Sequence, residues 1–452
     1  MLNESSTIVA VSTAAGIGGI GVVRLSGPKA LEIAQGLCSS KITPRYAGFH
    51  SFIHADNKTI DQGIVLYFPT PNSFTGEDVI EFQAHGSPIV LQQIVNACVE
   101  NGAIVAQPGE FTKRAYLNNK IDLMQAEAVI DLINASTETA AKSAVNSLSG
   151  KFSFIINDLL KRLIELRMYV EACLDFPEEE IDFITQGNVS EKINKLHITM
   201  QDIIESAQQG KLLREGIDIV LVGQPNVGKS SLLNQLLGEE RAIVTEIAGT
   251  TRDSISTHIA LHGIPVHIVD TAGLRETDDL VEKMGIKKTW QSLQNAHIAL
   301  FLVEAGKGIT QYERTILERL PPDTRKIWIF NKIDLLKTKP KPKTIETPDG
   351  IHVYLSAKTG DGIELLIDQI FNNTGMSSNI DDNQNIFMAR NRHLEALGRV
   401  KAALINAALN IDAAEIVAEE LTLAQQALSS ITGEFTSDDL LGEIFSQFCI
   451  GK

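Results

Sequence analysis

The chain has 452 residues, 44% of them hydrophobic and 21% charged, with a formal net charge of −16. This is length for about three domains of ~150 residues, each able to bury a core, with the composition of a soluble globular protein. The charge excludes nucleic-acid binding over most of the surface, because phosphate contacts need Lys and Arg; any RNA contact is a local patch or is supplied by a partner. Cys38, Cys98, Cys173 and Cys449 form no C-x-x-C pair and no disulfide framework, which fits a reducing cytoplasm. The apolar run Ile8–Val23 holds four glycines and has no basic flank. It predicts strand–turn–strand rather than a leader, and no other run approaches the ~18 apolar residues of a membrane span.

Residues 1 to 118 predict an α+β domain. Short β-like runs (Ile8–Ser12, Gly21–Leu25, Gly63–Phe68, Val79–Gln83) are punctuated by Gly and Pro, and a helical stretch, Pro88–Asn101, follows. Gly16, Gly18 and Gly21 match G-x-G-x-x-G formally. However, β-rich Val22–Leu25 follows where a dinucleotide site needs a helix, so the glycines read as a tight turn. Residues 119 to 214 predict helices, with Met124, Ala128, Ile130 and Ile133, then Leu159, Leu163, Leu166 and Val170, at mostly helical spacings. A break at Asp175–Gln186 carries an acidic run, Glu178 to Asp182, that reads as a solvated face.

Residues 215 to 374 alternate strand and helix, the α/β signature. The basic segment Lys337–Lys343 is a Pro-rich surface loop within them. Residues 375 to 384 are polar and read as a hinge. Helical periodicity returns across 375 to 452 with Leu394, Leu397, Val400, Leu404, Ile416, Leu421 and Leu428. The economical architecture is one helical domain interrupted by an inserted α/β domain, since neither helical half clearly closes a core.

Gly223 to Ser231 reads GQPNVGKSS and fits G-x-x-x-x-G-K-[ST]. The apolar run Ile217–Val222 precedes it. Leu232, Leu233, Leu236 and Leu237 follow at helical spacing. Backbone N–H groups of such a loop, Val227, Gly228, Lys229, Ser230 and Ser231 among them, cradle phosphate oxygens at a helix N-terminus. Lys229 would neutralise the β- and γ-phosphates, and Ser230 would bind Mg²⁺. Asp270-Thr271-Ala272-Gly273 follows a second apolar run: an aspartate at a strand end for Mg²⁺ through water, and a glycine N–H for the γ-phosphate. In Asn331-Lys332-Ile333-Asp334, the carboxylate of Asp334 accepts from guanine N1–H and the 2-amino group. Adenine would leave it unpaired, which disfavours a plain ATPase. Ser356-Ala357-Lys358 closes over the base. Together these resemble a GTP-binding domain of the translation-factor superclass.

Phosphoryl transfer needs charge neutralisation and a positioned water. The residue after Gly273 is Leu274, where Ras-like enzymes carry a glutamine, so something else must orient water. Thr245, Glu246, Ile247, Ala248, Gly249, Thr250 and Thr251, followed by Arg252 and Asp253, form an oxygen-rich segment, with Thr251 as second Mg²⁺ ligand. Asn226 with the downstream GTTRD is similar to the potassium-activated GTPases. That resemblance implies K⁺ held by Asn226, the Thr245 and Ile247 carbonyls, and Thr250. Arg252 and Arg275 are alternatives as arginine fingers.

Over essentially its whole length, to the terminal Cys449-Ile450-Gly451-Lys452, the chain resembles the MnmE (TrmE) family of tRNA modification GTPases. The resemblance implies an N-terminal folate-binding-like, dimerising domain, a discontinuous helical domain and an inserted Ras-like P-loop GTPase domain. It implies that Glu282, in VEKMGI, orients the attacking water. It implies a tetrahydrofolate derivative (5-formyl- or 5,10-methylene-) at Arg24, Glu81, Lys120 and Lys452. A carboxylate there can pair with a pterin's aminopyrimidine edge, and cations suit its glutamyl tail. Cys449 would lie near that site as a candidate nucleophile, although no adjacent base is apparent to activate it. The family implies a homodimer working with the flavoprotein MnmG in a heterotetrameric complex. Its product carries a carboxymethylaminomethyl or aminomethyl group at C5 of the wobble uridine of certain tRNAs. The partner would then supply much of the tRNA-binding charge. The competing reading is a GTP-switched RNA or ribosome assembly factor without modification chemistry.

Overall fold

The structure is a computed structural model. It describes residues 6–54, 56–175, 188–239, 256–270, 294, 296–322, 324–338, 340–374, 386–433 and 438–451. The acidic run 178–182 and the hinge 375–384 lie outside the described residues. The chain divides into two compact units: residues 1–130, 153–164 and 422–452, and residues 131–152 and 165–421. Among the described residues no helix is long and apolar enough to cross a membrane.

The first unit is built on a six-stranded sheet. Its strands are β1 (Ile8–Val11), β2 (Gly18–Ser26), β3 (Gly48–Ile53), β4 (Thr59–Phe68), β5 (Val79–Gly86) and β6 (Ile104–Val105), in the order β3-β4-β5-β2-β1-β6. Pairing is antiparallel except between β1 and β6. β2 does begin among the glycines at 18–21, so a strand stands where a dinucleotide motif would open a helix. Val23, Leu25, Phe52, Val65, Ile80 and Phe82 point to one face. There they pack with Ile33, Ala34 and Leu37 of α1 (Ala30–Leu37) and Leu91, Ile94 and Val95 of α2 (Pro88–Glu100). The short elements β3, β6, α1 and α3 (Glu110–Leu117) were not legible as periodic runs.

The chain's end closes on this unit. α13 (Asp438–Ser446) buries Leu441, Ile444 and Phe445 with Leu123, Ala126 and Phe448. The tail then pairs Ile450 with Pro108, and Ser12 Oγ donates to the Gly451 carbonyl at 3.0 Å. Gly451 has φ +96°, and a Cβ there would run into the Val11 carbonyl, so only glycine lets the tail lie this close.

The second unit holds α4 from residue 131 on (the helix is Leu123–Asn134), α5 (Glu138–Leu148), α7 (Val189–Glu215) and α11 (Asn391–Leu409). It also holds a seven-stranded sheet in the order β12-β13-β11-β10-β7-β9-β8. The strands are β7 (Ile217–Val222), β8 (Ser256–Leu261), β9 (Ile264–Asp270), β10 (Ile298–Glu304), β11 (Arg325–Asn331), β12 (Lys343–Thr347) and β13 (Gly350–Tyr354). The inner pairs are parallel and the two edge pairs, β8–β9 and β12–β13, antiparallel. The inner strands are apolar on both faces, as strands covered on both sides must be. Ile219, Leu221, Leu300, Leu302, Ile327 and Ile329 join one core with α8 (Lys229–Glu239), α10 (Ile363–Thr374), Ala140 and Ala144 of α5, and Leu213 of α7. Val220, Val222, Phe301, Val303, Trp328 and Phe330 form the other with Ile316 of α9 (Gln311–Leu317). The other α-helices among the described residues are α6 (Lys151–Asp175) and α12 (Ala414–Thr432).

Candidate nucleotide site and its surroundings

β7 ends at Val222 and α8 opens at Lys229, so Gly223–Gly228 is the loop between a strand's carboxyl end and a helix N-terminus. Its glycines are demanded by neighbours. A Cβ at Gly223 would sit 2.6 Å from the Leu302 carbonyl, and one at Gly228, φ +107°, would run into the Asn331 amide. Asn226 is exposed at the turn with φ +63°, a conformation Asn tolerates better than most side chains. Lys229 Nζ donates to the Gly223 carbonyl at 2.9 Å and lies 3.2 Å from Asp270 Oδ1 at the end of β9. The cation and the carboxylate expected for phosphate and Mg²⁺ are therefore already neighbours. Ser230 and Ser231 are exposed on the first turn of α8.

The base side is assembled by one buried residue. Asn331 is 2% exposed. Its Nδ2 donates to the Val227 carbonyl at 2.8 Å, and its Oδ1 accepts from the N–H groups of Lys332 at 2.7 Å and Ala357 at 2.8 Å. Three loops that are far apart in sequence are thus stapled by one amide. Ser356, fully buried, donates from Oγ to Asp334 Oδ1 at 2.7 Å. That bond aims the carboxylate and leaves its other oxygen without a donor among the described residues. Lys332, φ +66°, lies with Nζ 3.2 Å from Glu304, and Lys358 is exposed beside Ala357. Hydrogen bonds from Lys307 and then Lys332 hold the Glu304 carboxyl below the usual carboxylate range. Sequence reading did not find Glu304. Nor did it find Gln224, whose amide ties the phosphate loop to Thr310 at 2.8 Å at the capped start of α9. Neither position belongs to a spacing pattern.

Thr245, Glu246, Ile247, Ala248, Gly249, Thr250, Thr251, Thr271, Ala272, Gly273, Leu274, Glu282, the candidate fingers Arg252 and Arg275, and Lys452 lie outside the described residues.

In the first unit, Arg24 on β2 and Glu81 on β5 are register partners. Arg24 Nη2 and Nε donate to Glu81 Oε1 at 2.7 and 2.9 Å. Phe74 and Phe111 rings lie 5.6 and 5.8 Å from the guanidinium. Lys120 is exposed just after α3, alongside Gly76 of the loop that carries Phe74. Cys449 is exposed, its carbonyl accepting from the Gly109 N–H at 3.5 Å. By contrast Cys98 is buried and Cys38 half-buried: burial pushes Cys38 up to about 12 and Cys98 higher still. Among the described residues no group of three or more His, Cys, Asp or Glu could hold a metal ion.

A second polar cluster sits at the opposite end of the second unit's sheet. His267 of β9 meets the His258 ring edge-on at 4.6 Å, and both His267 and His297 lie near Asp218. Burial first, then His258 and His297, lower the His267 pKa against the pull of Asp218. The unfolded chain therefore binds this proton more readily. The neutral ring contributes its full stability above the ordinary imidazole value of about 6.5, and the contribution is lost as pH falls below it. Urea midpoints are expected to drop between pH 7.5 and 5.5, and His267→Phe to drop less. An equal drop in both proteins would remove His267 as the cause.

A family profile described as the MnmE helical domain matches residues 123–449, and one described as the GTP-binding protein TrmE N-terminus matches residues 7–120. The tRNA modification GTPase MnmE of Chromobacterium violaceum is 52% identical over 449 residues, covering 99% of this chain and 98% of its own. The protein of the same name from Coxiella burnetii is 52% identical over 452 residues, with 99% and 98% covered. Among solved structures, a variant of Aquifex aeolicus Era bound to GDP·AlF4⁻ is 25% identical over 41% of this chain and 66% of its own, with a TM-score of 0.27. The FeoB G-domain of Methanococcus jannaschii is 22% identical over 34% and 96%, with a TM-score of 0.25.

Proposed function

The chain belongs to the MnmE family of tRNA modification GTPases, and from that membership we infer that it hydrolyses GTP in the course of modifying tRNA. The observation that carries the nucleotide half is the assembled base pocket. Asn331 holds the three loops together, and Ser356 fixes one oxygen of the Asp334 carboxylate, whose other oxygen would meet a guanine edge. Adenine offers that half-buried carboxylate an acceptor where guanine offers donors, so ATP leaves its charge unpaired. Lys229 supplies positive charge to the β- and γ-phosphates, exchanging its bonds to Gly223 and Asp270 for phosphate oxygens.

The hard oxygen donors at the loop suit Mg²⁺: the Ser230 hydroxyl on the first turn of α8 and the Asp270 carboxylate at the end of β9. Ser230 and Thr251 would hold that ion, which when bound neutralises developing phosphate charge. Asn226, with Thr245, Ile247 and Thr250, would hold K⁺, which supplies the charge an arginine finger brings elsewhere. Glu282 is the proposed orienter of water, since Leu274 has no polar atom for the task.

The exposed turn at Asn226 leads to a direct expectation. GTP turnover should rise at least about tenfold when K⁺ replaces Na⁺, because a fixed charge at the transferring phosphoryl group is worth several kcal/mol. Equal rates in the two salts would remove Asn226 as a cation ligand.

The Arg24–Glu81 pair supports a folate-type one-carbon donor in the first unit. Arg24 occupies Oε1 of Glu81, so the other carboxylate oxygen is oriented to read an aminopyrimidine edge. Lys120 and Lys452 would take the glutamyl tail, and the bound folate would supply the one-carbon unit that goes to uridine C5. Cys449 is exposed at the end of the tail and is a candidate participant. A homodimer acting with MnmG in the cytoplasm completes the reading, with the modified group a carboxymethylaminomethyl or aminomethyl substituent at the wobble uridine. Mass analysis of tRNA nucleosides decides the function. Cells lacking this chain are expected to lose the modified wobble uridine and to regain it with the wild-type gene; unchanged nucleosides would overturn the reading.

A further inference from the structure

One hairpin joins the two segments expected to sense the γ-phosphate. β8 starts at Ser256, five residues after Thr251, and β9 ends at Asp270. The two strands pair without a bulge from Ser256↔Val269 to Leu261↔Ile264. Their connection is the two-residue turn His262-Gly263, with φ +47° and +75°, the tight hairpin turn that matches strand twist and leaves no slack. β8 is an edge strand of the sheet and, among the described residues, pairs with β9 alone, while β9 is also held by β7. A shift imposed on β8 at the nucleotide end is therefore carried along the ribbon to the turn.

That turn is seated on a helix outside the sheet. A Cβ at Gly263 would run into Thr139 Oγ1 and would stand 3.2 Å from Thr139 Cβ, in the first turn of α5. His262 stacks on Phe371 with ring centroids 5.5 Å apart. Ile259, Leu261 and Ile264 of the hairpin share one core with Ala140 and Ala144 of α5. Farther along, α5 is bonded to the irregular segment 386–390 that leads into α11. Ser143 Oγ donates to the Ile386 carbonyl at 3.3 Å, and the Met388 N–H donates to Ser147 Oγ at 2.9 Å.

We propose that the His262-Gly263 turn, pressed on Thr139, is the contact that couples the nucleotide state to the helical part of this unit. Thr139 is a positioning residue: it touches no nucleotide and acts through α5. The proposal rests on the tRNA-modification reading. Its signature is a separation of two activities that a merely structural contact would lower together.

Four variants of the full chain test it: Thr139→Ala, Thr139→Ser, Gly263→Ala and the double Gly263→Ala/Thr139→Ala. Each is purified for GTP affinity and turnover, and each is expressed as the sole copy for wobble-nucleoside analysis. Thr139→Ala and Gly263→Ala are expected to keep GTP affinity and turnover within about twofold while the modified nucleoside falls about tenfold, the size of a typical coupling free energy. Thr139→Ser keeps the oxygen and is expected to match the wild type. If melting shows that Gly263→Ala does not fold, Thr139→Ala decides alone, since it changes no backbone conformation. Wild-type nucleoside levels in Thr139→Ala, or a nucleoside loss that only tracks GTP turnover, would overturn the coupling. Unchanged nucleosides in cells lacking the chain would overturn the functional reading and the coupling with it.

Discussion

Asp334→Asn is expected to weaken GTP binding by at least about 100-fold, the worth of two hydrogen bonds to a charged carboxylate at ~1.5–3 kcal/mol each. The variant keeps an oxygen at Oδ1 for the Ser356 hydroxyl, so the loop should stay closed. What it replaces is a second acceptor by an amide donor. Guanine N1–H and its amino group then face a donor, and a donor opposite donors repels. Xanthine carries an oxygen where guanine has the amino group. The variant should therefore bind xanthosine triphosphate more tightly than GTP, which competition titration would show. A variant that loses GTP and gains no xanthosine triphosphate would mean that Asp334 supports the loop rather than reads the base.

Asn331→Ala carries the second large effect. Its amide makes three bonds of 2.7–2.8 Å in a nearly closed site. Removing it orphans the Val227 carbonyl and the N–H groups of Lys332 and Ala357, at ~1–3 kcal/mol each, so about 3 kcal/mol or more is lost. GTP and GDP should weaken alike, by more than about 100-fold, since the damage is to loop placement and not to a phosphate contact. Asn331→Asp keeps the two accepted bonds but sets a carboxylate against the Val227 carbonyl, and should fall between. Parallel calorimetric titration of GDP and GTP distinguishes this from a phosphate-specific defect. A variant with normal GDP affinity would show that the staple is dispensable.

These two residues differ in how far the sequence could explain them. The roles proposed for Asp334 and Lys229 rest on the type of residue at a fixed distance from a strand end, because a strand end points its next few residues in a predictable direction. The glycines at 223 and 228 were legible as loop glycines. Their necessity was not, because it comes from Leu302 and Asn331, which arrive from other strands. Asn331 itself was recognisable as part of a motif, but the three loops it joins span residues 227 to 357. No local pattern encodes such a closure. Glu304 and Gln224 had no signal at all.

The first unit shows the same divide. Arg24 and Glu81 were proposed as separate binding positions, and the register of β2 on β5 makes them one ion pair before any ligand arrives. The resemblance implies that the terminal Cys449-Ile450-Gly451-Lys452 lies near the folate-type site, and no local pattern says what it docks on. Yet Gly451 lies against Val11, 440 positions away by subtraction of their numbers, and Ile450 bridges to Pro108.

Legible from the chain alone were the pattern of a phosphate loop, a carboxylate proposed for guanine, and an alternation of strands and helices. Backbone periodicity and short spacings dictate these, and they do not depend on the rest of the fold. Which elements meet is fixed by the packing of the whole fold. It stapled three loops on Asn331, paired Arg24 with Glu81, docked the tail on β1 and set the Gly263 turn against Thr139. Those contacts follow from how sheets and helices bury their apolar faces, a property of the whole chain that no segment carries alone.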